Sequence, residues 1–280
     1  MKELRFEYVM RLDFSPMVSK HRFTLKCIPH SDERQKISDL EVVVYPREFI
    51  SEAEDSFGNH CIYGHAEGMH DHFSFRVTGN AATGLAPWEH AKEDHLIGIY
   101  KYQTEYTRPG PCILKFAESF PLAPEMSAYD KAFAFMTGLY RTFQYVPYVT
   151  GIYTTAEQAM ALGKGVCQDY SHILLSLCRM EGIPCRYVVG MLIGEGASHA
   201  WVEICSEGRW IALDPTNNLV VDDQHIKISA GRDYQDCIIN QGIFTGQTRQ
   251  TQQILVSVKE TESQSSAPKT RSWRESSFRR

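Results

Sequence analysis

The sequence predicts an α+β protein, an N-terminal antiparallel β-sandwich-like domain followed by helices packed on a second antiparallel sheet. Three observations predict it. Apolar and charged residues alternate from the start of the chain, the two-residue period of a half-buried strand. From Met126 the apolar residues recur at steps of three and four, the period of a helix. Beyond Arg186 strand-like runs return.

In the first region Leu4, Phe6, Tyr8, Met10 and Leu12 alternate with Arg5, Glu7, Val9 and Arg11. Arg22 to Cys27, Leu40 to Tyr45, His72 to Val77 and Ile97 to Tyr106 are further runs rich in β-branched and aromatic residues. Pro29, Pro46, Gly58-Asn59, Gly79-Asn80 and Gly84 punctuate them as turns. Thr107-Arg108-Pro109-Gly110-Pro111 then interrupts, followed by Pro121 and Pro124, and sets the expected division into domains 1–110 and 111–260. A first helix is expected from Met126, Tyr129, Phe133, Met136, Leu139, Tyr140 and Phe143. Thr155-Ala156-Glu157-Gln158 has capping-box spacing and Gly163 suits the other end of a short second helix. A third begins near Cys167, carries the stripe Tyr170, Ile173, Leu174, Leu177 and Cys178, and stops at Gly182 and Pro184. Residues 261–280 are Ser-rich and basic, the composition of a disordered tail.

A length of 280 residues is enough to bury a real core without staples. The net charge of −5 averages −9 over residues 1–262 and +4 over Ser263 to Arg280, which gives no reason to expect nucleic acid. There is no apolar run of about 18 residues, so no membrane partner is expected. The start, Met1-Lys2-Glu3-Leu4-Arg5-Phe6-Glu7, lacks the apolar stretch of a secretory signal, which predicts a cytoplasmic protein. The eight Cys, at 27, 61, 112, 167, 178, 185, 205 and 237, include no Cys-x-x-Cys pair, against both a disulfide scaffold and a zinc ribbon. They are therefore core thiols, or one of them is reactive.

Cys167 is the candidate. It follows the glycine loop Gly163-Lys164-Gly165-Val166 at a helix start, where unpaired N–H groups and the helix dipole favour thiolate and can cradle an oxyanion. A cysteine nucleophile needs a base, and the base an orienting group. Ser198 to Asn218 offers both. With Glu207-Gly208 as a two-residue turn, Val202 faces Leu213 and Ile204 faces Ile211 on an apolar face. The other face holds His199, Trp201, Glu203, Ala212 and Asp214, with His199 and Asp214 diagonal neighbours at roughly 7–8 Å.

Other groups have plainer readings. His60, His65, His70 and His72 hold a potential metal pair in His70-x-His72, but no Cys or carboxylate block completes it, so no metal is expected. His172 lies about 140° round the helix from Cys167 and is not the expected base. Asp169 suits a first-turn cap. Trp201 reads as a hairpin aromatic that also walls the site, and Gln168, Arg232 and Asp236 are further cleft candidates, the last two equally readable as a surface ion pair.

At these residues the sequence resembles the transglutaminase-like superfamily of papain-like cysteine enzymes. The matching blocks are Gly165-Val166-Cys167-Gln168-Asp169-Tyr170-Ser171-His172, Ser198-His199-Ala200-Trp201-Val202-Glu203 and Trp210-Ile211-Ala212-Leu213-Asp214-Pro215-Thr216. His21-Arg22-Phe23, Asp55-Ser56-Phe57-Gly58-Asn59 and Gly231-Arg232-Asp233-Tyr234-Gln235-Asp236 resemble pieces of the bacterial type, which has an N-terminal β-domain. The resemblance implies a papain-like core with a catalytic Cys167, His199 and Asp214, and acyl transfer through a thioester. The expected function is a cysteine hydrolase, a protease or amidase acting on a peptide or protein amide. The alternatives are an amine-accepting transglutaminase and a non-catalytic protein-binding scaffold. No cofactor is expected. Asp222-Asp223 is not a calcium loop, and the sequence carries no signal for an oligomeric state.

Overall fold

The computed structural model describes residues 1–91, 97–120 and 122–261. The basic tail expected over 261–280 lies outside them from residue 262 onward.

Alternation in the first 25 residues builds one long strand. β1 runs Lys2–Leu25 and buries Leu4, Phe6, Tyr8 and Met10 on one side. It is followed by β2 (Gln35–Tyr45), β3 (Phe49–Glu54), β4 (His60–Ala66), β5 (His70–Thr83) and the short β6 (Glu89–His90). Ile97 to Tyr106 is not the expected strand. Ile99–Lys101 forms a 3₁₀ turn whose Tyr100 is buried edge-on to Trp210, 5.5 Å between ring centres. The aromatics there anchor a connection instead of lining a pleat.

Four helices follow. α1 (Pro111–Glu118) falls in the proline-rich stretch read as a break. Proline is at home in a first helical turn, where its missing N–H costs nothing. The helix start is capped across space by Glu157, which accepts from the N–H groups of Gly110, Cys112 and Ile113. α2 (Ala128–Thr142) begins two residues later than its apolar stripe, because Ser127 accepts from the Asp130 N–H and fixes the cap. After β7 (Gln144–Tyr145) comes α3 (Ala156–Leu162), with the expected Thr155/Gln158 capping box and a left-handed Gly163 at φ 67°. β8 (Lys164–Gly165) then pairs in parallel with β7 and delivers the chain to α4 (Cys167–Met180). α4 is buried along almost its whole length, among α1, α2, α3 and the second sheet.

That sheet is built from β9 (Cys185–Leu192), β11 (His199–Ser206), β12 (Arg209–Asp214), β13 (Leu219–Val220) and β14 (His225–Gly231), in the order β13-β12-β11-β9-β14 with β6 added to β12. A short β10 (Gly194–Gly196) precedes β11. The β11–β12 turn at Glu207-Gly208 has both residues left-handed, at φ 52° and 72°. This is the geometry of a two-residue hairpin turn, and the register is the expected one, Val202 opposite Leu213 and Ile204 opposite Ile211.

The described residues end in β15 (Asn240–Thr245) and β16 (Arg249–Glu260), and both return to β1. β16 lies along its first half, from Leu4 opposite Glu260 to Ser15 opposite Arg249. β15 lies along its second half, opposite β4. The segment 111–260 therefore supplies two strands to the N-terminal sheet. Met191, Ile226, Ile228, Val256 and Val258 pack in one core with Phe6, Tyr8, Phe73 and Phe75. Among the described residues no helix is long and apolar enough to cross a membrane.

A charge cluster ties the two halves together. Lys227 contacts Glu89, Asp32 at 3.1 Å and Glu203 at 3.5 Å, while Arg186 reaches Glu89 at 2.6 Å and Glu203 at 2.5 Å. Burial pushes the Asp32 carboxyl up to about 6. Burial also opposes charge on Glu89, but Lys227 and Arg186 hold it well below the usual carboxylate range. Removing one cation strands several buried anions. Lys227→Met should lower unfolding free energy by about 3–5 kcal/mol in urea titration; a loss under about 1 kcal/mol would show that the cluster is not tightly coupled.

Candidate active site

The site begins at a glycine. A Cβ on Gly165 would lie 2.3 Å from Asp169 Oδ2, so only glycine leaves room for that carboxylate. Asp169 Oδ2 accepts from the Val166 N–H at 2.7 Å and the Thr150 hydroxyl at 2.6 Å. It is the expected cap, and it locks the turn that presents Cys167. The first N–H groups of α4 have no carbonyl one turn earlier within the helix. Cys167 itself is half-buried and free.

β11 brings His199 into the same cavity, near enough for Cys167 to act on the imidazole. His199 Nε2 meets Asp214 Oδ2 at 2.7 Å, the diagonal pairing that the hairpin register predicts. Burial disfavours a charged His199, but the hydrogen bonds to Asp214 and Cys167 outweigh it and raise the imidazole to about 10. Asp214 is fully buried. Its Oδ2 also takes Asn217 Nδ2 at 2.7 Å, and its Oδ1 takes the N–H groups of Thr216 and Asn217. Burial opposes its charge, yet His199 and His225 hold it well below the usual carboxylate range.

His225 was not among the residues expected at the site. It sits on β14 with Nε2 3.3 Å from Asp214 Oδ2 and Nδ1 3.1 Å from Asp222 Oδ1. The sequence shows only Asp222-Asp223-Gln224-His225, and no local pattern joins that stretch to Asp214. The donor atoms of His199, Asp214 and His225 lie within 4.8 Å of one another, a spacing a divalent cation could use. Asp214 nevertheless already accepts five hydrogen bonds, a set that serves to orient an imidazole.

Cys167, Gln168 and His199 line one side of a cavity of about 1350 Å³. The other expected cleft residues lie elsewhere. Trp201 is 1% exposed and sits behind His199, 6.3 Å between ring centres. Its ring covers Gly190, where a Cβ would meet it at 2.3 Å, and it faces a water-sized cavity shared with His225 and Lys227. Arg232 and Asp236 bind each other twice, at 2.8 and 3.0 Å, and Asp236 also holds the Arg232 N–H. They are not among the lining residues of the cleft, and their charges are satisfied locally. His172 is fully buried in the helix core and accepts the Tyr234 N–H. His60 and His72 pair with Glu52 and Asp71, and His70 stacks on His21.

Comparison with known proteins places this arrangement. Residues 117–215 match the family model described as the transglutaminase-like superfamily, and residues 4–82 match the bacterial transglutaminase-like N-terminal region. The chain is thus similar to a transglutaminase-like core preceded by that N-terminal region. An uncharacterised protein of Mycobacterium leprae is 36% identical over 124 residues, 41% of this chain and 44% of that protein. The matched segment thus spans less than half the length of this first relative. An uncharacterised protein of Mycobacterium bovis is 26% identical over 227 residues, 69% of this chain and 72% of its own. A crystal structure of a proposed cysteine protease from Cytophaga hutchinsonii shares the fold with a TM-score of 0.77, over 93% of this chain and 91% of that one, at 22% identity.

The raised His199 carries a stability signature. A group whose folded value exceeds its ordinary 6.5 stabilises fully below that value and loses its contribution as pH rises through about 10. Asp214 behaves oppositely, contributing above about 4 and losing its effect as pH falls. The difference in unfolding free energy between the native protein and His199→Gln should be largest near pH 6 and shrink toward pH 10. A difference that grows with pH would contradict the geometry.

Proposed function

We propose that the protein is a cysteine hydrolase that cleaves peptide or other amide bonds through a thioester. The observation that carries the reading is His199, held at 2.7 Å by a buried Asp214 and raised by its interaction with Cys167, with both His199 and Cys167 lining the same cavity. In this reading the Cys167 sulfur attacks the carbonyl carbon and the C=O pair moves onto oxygen. The first N–H groups of α4 receive that oxyanion. His199, charged at neutral pH, gives its proton to the departing amine as the C–N bond breaks. Water then attacks the thioester, His199 takes its proton, and the carboxylic acid leaves with the Cys167 thiolate restored beside a charged His199. Asp214 keeps the imidazole in one orientation throughout, and His225 and Asn217 keep Asp214 in place.

The other thiols are poor competitors. Cys27, Cys61, Cys178, Cys185 and Cys237 are buried, and a hydrogen bond to Glu157 pushes Cys112 up. Iodoacetamide at neutral pH should therefore alkylate Cys167 first, read by peptide mass mapping, and His199→Ala should slow that step at least about tenfold. Equal labelling of Cys167 and Cys205 would sink the nucleophile assignment.

Cys167→Ala should reduce turnover of a labelled peptide by about 10³ or more. With the native protein, hydrolysis should fall on the alkaline side through about pH 10 as His199 loses its proton. A primary amine added to the assay separates the acceptors. Release of free acid should dominate; amine incorporation exceeding hydrolysis would make the protein a transglutaminase.

A further inference from the structure

One wall of the cleft that holds Cys167 is an unpaired strand edge among the described residues. β15 hydrogen-bonds to β1 alone among the described residues. Lys26 donates to the Ile239 carbonyl, and antiparallel pairs alternate, so Gln241 and Ile243 turn their backbone groups toward β1. Asn240 and Gly242 then turn their N–H and C=O groups away from it. Both residues line the same cavity as Cys167 and His199. The side-chain Oδ1 of Asn240 is buried there without a partner.

Soluble proteins protect such edges with lysine, proline, bulges or a covering element. Asn240-Gln241-Gly242-Ile243-Phe244-Thr245 has neither charge nor proline, and Ile243 is 74% exposed. An unprotected edge beside a nucleophile invites an extended segment to complete the sheet. The rest of the cavity describes that segment. Its described lining contains no Lys, Asp or Glu, and the one Arg, Arg22, is held by Glu67 at 2.6 Å. Exposed Tyr148, Tyr153 and Ile152 stand on the nucleophile's side. The volume of about 1350 Å³ exceeds what a small ligand fills.

Resting on the acyl-transfer reading above, we propose that the substrate is an extended, uncharged polypeptide segment that adds as a strand to the free edge of β15. Its main chain pairs with Asn240 and Gly242, and its bulky apolar side chains fill the cleft between that edge and the Tyr148–Tyr153 wall. A folded surface loop or a small isolated amide does not meet these requirements.

Protection of the thiol tests the proposal without a known cleavage site. Blocked decapeptides of Leu, Phe, Thr and Ala compete with iodoacetamide for Cys167 in the full chain, alongside decapeptides of the same length rich in Glu and Lys. The apolar peptides should protect at concentrations at least about tenfold lower. N-methylation along one edge of the best peptide should raise the half-protecting concentration about 3- to 10-fold at alternate residues, and methylation along the other edge should leave it unchanged. Ile243→Lys should weaken protection in the same direction. Equal effects from both edges, equal protection by charged peptides, or alkylation that no peptide slows would overturn the proposal while leaving the nucleophile intact. Absence of preferential alkylation would instead remove the acyl-transfer reading, and this proposal with it. Concentration-dependent dimerisation abolished by Ile243→Lys, with no peptide protection, would assign the edge to a second copy.

Discussion

A buried carboxylate fixes this molecule's working end. Asp214 is fully enclosed, and an enclosed anion persists only if its lone pairs are met. Five donors meet them, two from the turn after β12, one from Asn217, and one each from imidazoles on β11 and β14. The requirement reaches across four elements. It holds the β11–β12 register, because a slip of one residue would turn His199 away. It sets β14 at the height that brings His225 to the same oxygen. It also leaves His199 one free side, which faces Cys167.

The second requirement is that the two halves hold together, and here the chain uses both apolar and ionic contacts. Tyr8 on β1 lines the cleft together with Ser198, the neighbour of His199. Met191, Ile226 and Ile228 sink into the core formed around β1 and β5. Lys227 and Arg186 draw Asp32, Glu89 and Glu203 into one buried cluster. The cleft is therefore a seam between two surfaces that are each braced from behind. Its lining draws on β15 and β16 as well as on the start of α4.

Much of this was legible in the chain. Local chemistry announced the helix at Cys167, the capping box at Thr155, the hairpin at Glu207-Gly208 and the cap at Asp169, because each depends on residues within a few positions of each other. Ile97 to Tyr106 misled because its aromatics fit a strand composition while Tyr100 served as a packing anchor. α1 was hidden because its cap, Glu157, lies more than forty positions away. His225 escaped notice although only 11 positions from Asp214, because it reaches that residue only through the folding of β14 onto β9. Trp201 was expected to wall the cleft and Arg232 and Asp236 to reach it, but burial of the first and the mutual pairing of the other two take them elsewhere. The return of β15 and β16 to β1 left no mark in either strand's composition.

That return bears on how the protein is made. β1 is complete within the first 25 residues, yet the strand that covers its first half lies at residues 249–260. At a synthesis rate of about 5–20 residues per second, the wait between them is on the order of 10 to 50 s. Throughout that interval an alternating strand rich in Leu, Phe, Tyr and Met stands with one flank bare on the ribosome. Pairings between residues so distant are slow to form and open to wrong partners. Shortening the chain before residue 249 therefore removes the strand that covers the first half of β1.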